Sequence, residues 1–136
     1  MRSRAASVAG DPRCQRYLKG DRLRKRFEFR NARLRGRRVH TRSFVVLIAA
    51  AKSPRARLGL TVSRRAGNAV RRNRLKRLVR EVFRQHRELF PARADVVVIA
   101  RSENEAASFA EVCREFERAA PAMKMAAQAA ARGGTA

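Results

Sequence analysis

One short stretch, GNAVRRNRLKRLVREVFR from Gly67 to Arg84, concentrates side chains that bind phosphate. It holds six Arg and one Lys against a single carboxylate, Glu81. A guanidinium is a rigid fork that fits a phosphate group, whereas an ammonium acts as a point charge. Because neutralising carboxylates are nearly absent, contact with a polyanion backbone is favoured over a solvated charged face. The candidate contacts are Arg71, Arg72, Asn73, Arg74, Lys76, Arg77, Arg80 and Arg84.

The turn before this stretch, SRRAGNA (63–69), carries a second set of candidates. Gly67 permits a positive φ, and Asn68 can cap the following helix. Exposed amides at a helix N-terminus also suit a phosphate. We expect Arg64 and Arg65 to contact the same polyanion. Asn68 is either a plain helix cap or a further contact. Asn73 also has two possible roles: it binds a base edge or a 2′-hydroxyl, or it orients its arginine neighbours.

The charge of the whole chain agrees with a polyanionic partner. The 136 residues carry a net charge of +23. Residues 1–87 hold 28 basic and 4 acidic side chains, hence +24, and residues 88–136 hold 6 and 7, hence −1. Such a field repels itself and contributes little to a fold, so it indicates a role in binding.

Catalytic and metal-binding patterns are hard to find in this sequence. Glu28 and Glu81 are the only carboxylates between residues 22 and 87, and the two His lie apart in basic surroundings. Cys14 and Cys113 fit neither a zinc pattern nor a disulfide framework, which favours a reduced, cytoplasmic location. No apolar run approaches the ~20 residues that span a bilayer. We therefore expect no catalytic side chain, no protein-held metal and no membrane partner.

Periodicity places these candidates on a small set of elements. A helix is predicted over 22–36, with Leu23, Phe27 and Leu34 near one side and Gly36 as a left-handed stop. Strands are predicted over 43–50, 57–63 and 95–100, and Gly59 inside the second marks a close backbone approach. The basic helix, predicted over about 69–87, has an apolar stripe facing the core. That stripe is Leu75, Leu78, Val79, Val82 and Phe83.

A last helix opens with Ser108 and Glu111 in capping-box spacing, and Pro121 is predicted to bend or end it. The order predicts an α+β fold, with a small mixed sheet packed with helices in a two-layer sandwich. Along the chain, the predicted elements are a helix, two or three strands, the basic helix, a strand and a last helix. The basic helix is the crossover of a βαβ unit. We expect a basic N-terminal tail (1–20), one RNA-binding domain (21–120) and an Ala-rich C-terminal tail (121–136).

The stretch GLTVSRRAGNAVRRNRLKRLVREVFR resembles the signature of the protein subunit of bacterial ribonuclease P. The matching pieces, in order, are Val62–Ser63, Arg64–Arg65, Gly67–Val70, Arg72–Arg74, Lys76–Arg77 and Arg80–Arg84. Flanking segments agree: RLRKRFEF (22–29), Arg42 and Phe44, DVVVIAR (95–101) and SFAEV (108–112). The resemblance covers about residues 22–118.

The resemblance implies a ribonucleoprotein whose catalytic RNA subunit removes the 5′ leader of precursor tRNA. The protein would help bind precursor tRNA and strengthen the binding of divalent metal, Mg²⁺ held mainly by the RNA. No protein partner is implied. The basic helix would face the RNA subunit. The family fold carries an uncommon left-handed crossover, whereas physical rules favour a right-handed one.

The resemblance also implies a cleft for the single-stranded leader between the first helix and the sheet. Its candidate residues here are Phe29, Arg33, Arg42 and Phe44. Single strands are held by stacking on aromatic rings in a basic groove, although Phe29 and Phe44 could equally be core residues. Arg33 and Leu47 stand where the family often has aromatic residues, so charge would contribute more than stacking here.

Two other functions fit the charge. One is a non-enzymatic RNA binder such as a ribosomal protein or RNA chaperone, which would bind precursor and mature tRNA equally. The other is a cationic protein of membrane or DNA surfaces, which would show no preference for structured RNA. Binding by either of these proteins, and by a ribonuclease P protein subunit, weakens steeply with salt. Salt dependence alone therefore does not separate the three functions.

Overall fold

The computed structural model describes residues 22–23, 25–51, 54–101 and 108–133, the side chain of residue 133 excepted. The tail predicted over 1–20 lies outside them. The helices and strands in chain order are α1 (Arg26–Arg35), β1 (Arg37–His40), β2 (Phe44–Ala50), β3 (Arg57–Thr61), α2 (Ala69–Gln85), β4 (Ala94–Ala100) and α3 (Phe109–Gly133). Short 3₁₀ turns, Arg64–Ala66 and Arg87–Leu89, flank α2. Strand β1 was not predicted separately, and it ends at His40.

The four strands form one mixed sheet in the order β1-β2-β4-β3. Strands β1 and β4 each pair with β2 antiparallel, and β3 pairs with β4 in parallel. The link from β3 to β4 runs through α2, because parallel neighbours need a long crossover connection. The predicted α+β fold with a βαβ unit around the basic helix is therefore confirmed, while the handedness of the crossover stays a prediction.

Alternation along the strands divides the sheet into two faces. Leu58, Val96 and Val98 belong to the face covered by α2 and α3, where the larger core lies. Leu47 and Val97 belong to the other face, where Leu23 and Ala32 complete a smaller cluster beside α1. Helix α1 contacts only part of this second face, and the remainder carries the site described below.

Helix α1 differs from its prediction in three respects. It begins at Arg26, where the side chain of Glu28 accepts a 3.0 Å hydrogen bond from the Lys25 amide. Phe27 and Leu34 are 61% and 77% exposed, whereas Phe29 packs on the sheet. Gly36 ends the helix in extended backbone, with φ −75°, and not in a left-handed conformation. The periodicity was misassigned because Leu23 precedes the helix and does not belong to its stripe.

Helix α3 continues through Pro121 to Gly133, so of the two outcomes predicted at Pro121, a bend or an end, the end is wrong. Met123, beyond the proline, is fully buried in the larger core, and Ala130 is also buried. At the start, Ser108 Oγ accepts a 3.2 Å hydrogen bond from the Glu111 amide, as the capping spacing predicted. Residues 121–133 of the expected Ala-rich tail thus extend a helix that packs on the sheet.

Candidate RNA interface

Helix α2 is fixed to the sheet by the apolar stripe that its sequence predicted. Leu75, Val79, Val82 and Phe83 are buried, and Leu78 packs against them half-buried. The Phe83 ring lies 5.0 Å from the ring of Phe90, edge to face. Because this side of the helix is occupied by packing, its charged residues are forced onto the outer side.

The outer side of α2 forms what we call the basic face. Asn73, Arg74, Arg77 and Arg80 are exposed there, and Arg72, Lys76 and Arg84 are half-buried. A groove of about 410 Å³ runs along it. The lining residues are Asn73, Lys76, Arg77, Arg80, Glu81 and Arg84. The helix therefore brings five predicted site residues, together with Glu81, to one concave, positively charged surface.

Glu81 is the acidic member of this groove, and it is already engaged. Its carboxylate accepts hydrogen bonds from Arg84 Nη2 at 2.7 Å and from Arg84 Nε at 3.1 Å. Gln85 Nε2 donates a further bond at 3.1 Å. The Arg84 hydrogen bond lowers the pKa of Glu81, and Glu81 in turn raises the pKa of Arg84. This pair neutralises one end of the groove and leaves Lys76, Arg77 and Arg80 to dominate the other.

Arg72 shows that the predicted contacts are not equivalent. Its Nε is buried and has no hydrogen-bond partner among the described residues. A buried guanidinium donor without a partner costs free energy. Arg72 is also less exposed than Arg74, Arg77 and Arg80, so less of its side chain is available to a partner.

The turn before α2 has the geometry that its sequence predicted. Gly67 has φ 134°, a conformation that residues with a Cβ rarely adopt. Asn68 Oδ1 accepts a 2.9 Å hydrogen bond from the Arg71 amide, so Asn68 caps the helix. Arg71 Nε donates to the Ala66 carbonyl at 3.1 Å, which ties this side chain to the turn. Arg64 and Arg65 lie exposed on the preceding 3₁₀ turn.

A second candidate surface lies on the opposite face of the sheet. The strand register aligns His40 with Val45, Val45 with Ile99, and Ile99 with Thr61. These four residues cross the sheet in one line, which we call the open row. His40 is exposed and the other three are half-buried, whereas Leu47 and Val97 in the adjacent line are buried near α1. The open row is thus the part of this face that α1 leaves accessible.

Helix α1 forms a wall beside the open row. The Phe29 ring lies on Gly59 of β3, where an added Cβ would come within 2.7 Å of the ring. The close approach predicted at Gly59 is therefore confirmed. At the far end of the sheet, Arg57 Nε and Nη2 donate to the two Asp95 oxygens at 2.8 and 2.9 Å, and its Nη1 donates to Glu28 at 3.0 Å. The Asp95 hydrogen bond raises the pKa of Arg57.

The predicted leader-cleft residues separate in the structure. Phe29 is half-buried at the wall, and Arg33 is exposed on α1. Phe44 is 1% exposed and stacks on Phe116, with ring centroids 5.6 Å apart, on the face that α2 and α3 cover. A buried ring presents no face to a base, so Phe44 is a core residue and its assignment to the cleft is wrong.

The rim of the open row is basic. The β1–β2 turn, the end of β4 and the turn after β3 all lie at the same end of the sheet. They place Arg42, Arg101 and the pair Arg64–Arg65, all exposed, at that end of the sheet. Arg101 Nη1 donates to the Thr41 carbonyl at 3.1 Å. Arg42, predicted as a cleft residue, thus lies in the same rim as two residues predicted for the other surface.

The β1–β2 turn is held in place by helix α3. The Glu115 carboxylate accepts hydrogen bonds from Ser43 Oγ at 2.6 Å, the Ser43 amide at 2.9 Å and Thr41 Oγ1 at 2.9 Å. Hydrogen bonds to a charged acceptor are stronger than neutral ones. The rim and the adjacent end of β1 are therefore rigidly placed.

Sequence reasoning missed five residues of this second surface: His40, Val45, Thr61, Ile99 and Arg101. Their alternation along each strand indicates a shared face, but only the pairing register shows which of them are neighbours. Within the described ranges, no three His, Cys, Asp or Glu side chains gather as metal ligands. No helix among the same residues is long and apolar enough to cross a membrane.

The chain matches known proteins over most of its length. The family model for Ribonuclease P matches residues 18–124. The ribonuclease P protein component of Desulfovibrio desulfuricans is 48% identical over 99 residues, covering 70% of this chain and 76% of that protein. The one from Syntrophus aciditrophicus is 40% identical over 98 residues, covering 72% and 82%.

Solved structures agree with the sequence matches. The Staphylococcus aureus RNase P protein superimposes with a TM-score of 0.70 at 32% identity, covering 79% of this chain and 99% of that one. The Thermotoga maritima RNase P protein gives a TM-score of 0.66 at 37% identity, covering 76% and 96%. With the basic face and the four-stranded sheet in place, these matches lead to one conclusion: the chain belongs to the ribonuclease P protein family.

Proposed function

We propose that this chain binds the catalytic RNA subunit of ribonuclease P through its basic face and holds the 5′ leader of precursor tRNA over the open row. The observation that carries the proposal is the groove of about 410 Å³ on α2. Its cations outnumber its single carboxylate, which Arg84 already occupies. Such a surface repels itself and attracts a partner that supplies negative charge.

The basic face suits a folded RNA backbone. Arginine forks at successive helical positions contact phosphates without reading sequence, and they position the protein on its partner. Arg77 and Arg80 are exposed and adapt their rotamers to the groove of the RNA, and Arg72 is half-buried on the same helix. Asn73, between Arg72 and Arg74, offers both a donor and an acceptor to a 2′-hydroxyl or a base edge.

The open row suits a single strand. Its centre is apolar and half-buried, one side is the wall with Phe29, and the rim carries Arg42, Arg64, Arg65 and Arg101. Unpaired bases lie on apolar and ring surfaces while cations track the phosphates. A leader is bound this way and a folded tRNA body is not, so the surface favours precursor over mature tRNA.

The chemistry in this proposal belongs to the RNA. The groups on the basic face are cations, which repel Mg²⁺, and Glu81 is committed to Arg84, so these residues do not form a magnesium site. We propose that RNA phosphates hold the metal. The protein neutralises other phosphates, which lowers the magnesium concentration at which the RNA folds and binds precursor tRNA, in an RNA-based endoribonuclease reaction.

Reconstitution tests the proposal. The full chain is added to a bacterial ribonuclease P RNA at low magnesium, and release of the 5′ leader is followed alongside the dissociation constants of precursor and mature tRNA. We expect faster leader release and tighter binding of precursor tRNA. Equal affinity for the two tRNAs, with no change in leader release, would instead indicate a general RNA binder.

A further inference from the structure

His40 lies at the edge-strand end of the open row, and neither the basic face nor the wall includes it. It is exposed on β1 and pairs in register with Val45. Val45 and Ile99 continue the line, and both are half-buried and apolar. The imidazole therefore adjoins an apolar floor, which favours contact with a flat, weakly hydrated group over a fully solvated ion.

Phe29 and His40 bracket this floor from opposite sides. Phe29 lies on Gly59 of β3, and β1 is three strands away in the order β1-β2-β4-β3. At ~4.8 Å between neighbouring strands, the two rings are separated by about 14 Å across the sheet. A common RNA-binding module uses a four-stranded sheet of this width to stack two or three bases on ring side chains.

The edge strand is a rigid support for the ring. The turn that follows His40 is fixed by Glu115 through Ser43 and Thr41, at distances of 2.6–2.9 Å. The Thr41 carbonyl also accepts from Arg101. The backbone next to His40 is therefore already ordered, so a base that lies against the ring does not have to order it.

We propose that His40 is a second stacking platform for the single-stranded leader, opposite Phe29. This inference rests on the proposed function of the open row. A base between or beside the two rings lies on Val45 and Ile99, while its phosphates reach the arginines of the rim. His40 then contributes to the preference for precursor over mature tRNA and contributes nothing to the grip on the RNA subunit.

Four variants of the full chain, each assembled with a bacterial ribonuclease P RNA, test the inference. His40→Ala removes the ring, His40→Gln keeps a polar group without a ring, and His40→Phe keeps a ring without polarity. His86→Ala is the matched control, because His86 lies at the end of α2 on the other side of the sheet. The measurement is the ratio of dissociation constants for mature and precursor tRNA, together with affinity for the RNA subunit.

We expect His40→Ala and His40→Gln to lower this ratio by about five- to tenfold, the lower range for one base–ring stack. His40→Phe and His86→Ala leave it unchanged, and all four bind the RNA subunit as the original chain does. An unchanged ratio in His40→Ala overturns the inference. A lowered ratio in His40→Phe overturns it too, as does a loss of affinity in His40→Ala that is equal for precursor and mature tRNA. If the original chain itself shows no preference for precursor tRNA, the proposed function fails instead.

Discussion

The basic face and the open row bind RNA, in our proposal, by different physics. The basic face is one helix whose charges follow from a local repeat, and its groove offers cations to phosphates of any sequence. The open row is assembled from β1, β2, β4 and β3, and it offers an apolar floor to unpaired bases. Affinity for RNA is thus separated from the recognition of a single strand, and the two surfaces lie on opposite faces of the sheet.

Because the two surfaces are separate, each can be disrupted by mutation without disrupting the other. Changes that loosen α1 damage the wall of the open row and leave α2 in place. Changes on the basic face alter charge and leave the sheet untouched. Effects of distant, independent sites add, so each class of variant should spare the other function.

The largest effect is expected from Asp95→Ala. Asp95 is buried and accepts two hydrogen bonds from Arg57, so its removal leaves a partly buried guanidinium with Glu28 alone. Breaking such a pair costs about 3 kcal/mol of the free energy of unfolding. Urea unfolding followed by circular dichroism measures this loss, and the exposed Glu88→Gln is the control, with a change within about 0.5 kcal/mol. An unaltered urea midpoint for Asp95→Ala would show that the ion pair does not anchor α1.

Gly59→Ala is expected to come next and to act on the wall itself. Its methyl group would meet the Phe29 ring at 2.7 Å and the Leu23 Cβ at 3.1 Å. Overpacking of this kind costs about 2 kcal/mol of unfolding free energy. The displaced ring should also reduce the preference for precursor tRNA.

A double variant separates the two consequences of Gly59→Ala. Adding Phe29→Leu makes room for the methyl group and should recover much of the lost stability, because the two changes share one contact. The preference for precursor tRNA should stay low, since the ring is absent. Recovery of that preference together with stability would argue against stacking on Phe29.

The basic face is tested by Arg77→Ala combined with Arg80→Ala. Both side chains are exposed and line the groove, so folding should be unaffected. Affinity for the RNA subunit should fall about tenfold, and the slope of log K against log salt should decrease by about 1.5, on the order of 0.7–0.9 per phosphate. Filter binding over a range of salt concentrations measures both quantities.

The control for this charge removal is Arg114→Ala with Arg118→Ala. These two arginines are exposed on α3, away from α2, and their loss changes net charge equally. If both double variants lowered affinity and slope alike, binding would depend on total charge and not on the basic face.

The smallest effect is expected from Glu81→Gln. The Arg84 hydrogen bond lowers the pKa of Glu81, so this carboxylate stabilises the fold above its unfolded-state pKa and loses that contribution as pH falls through its lowered value. The Arg84 and Glu81 side chains are 32% and 39% exposed, so solvent screens the pair and the difference should not exceed ~0.5 kcal/mol near neutral pH. Thermal unfolding of both proteins from about pH 7 to about pH 3 checks this, and the difference should shrink as the pH falls. A difference independent of pH would exclude the ion pair as its cause.

Much of the helical half of the molecule follows from the sequence. The stripe from Leu75 to Phe83, the cap at Asn68 and the positive φ of Gly67 depend on residues within a few positions of one another. Distant contacts decide two points that local reasoning left open or misassigned. Phe44 belongs to the core because Phe116 covers it. Pro121, predicted to bend or end α3, does not end it, because packing of Met123 extends the helix past it.

By itself, the sequence determined the basic helix, its turn and the excess of cations, since helical periodicity and capping act over a few residues. The tertiary structure alone decided the open row. His40, Val45, Thr61 and Ile99 become neighbours only through strand register, and a shift of one residue would turn each of them to the other face. Register is set by the packing of the whole sheet, so it cannot be predicted from a local sequence pattern.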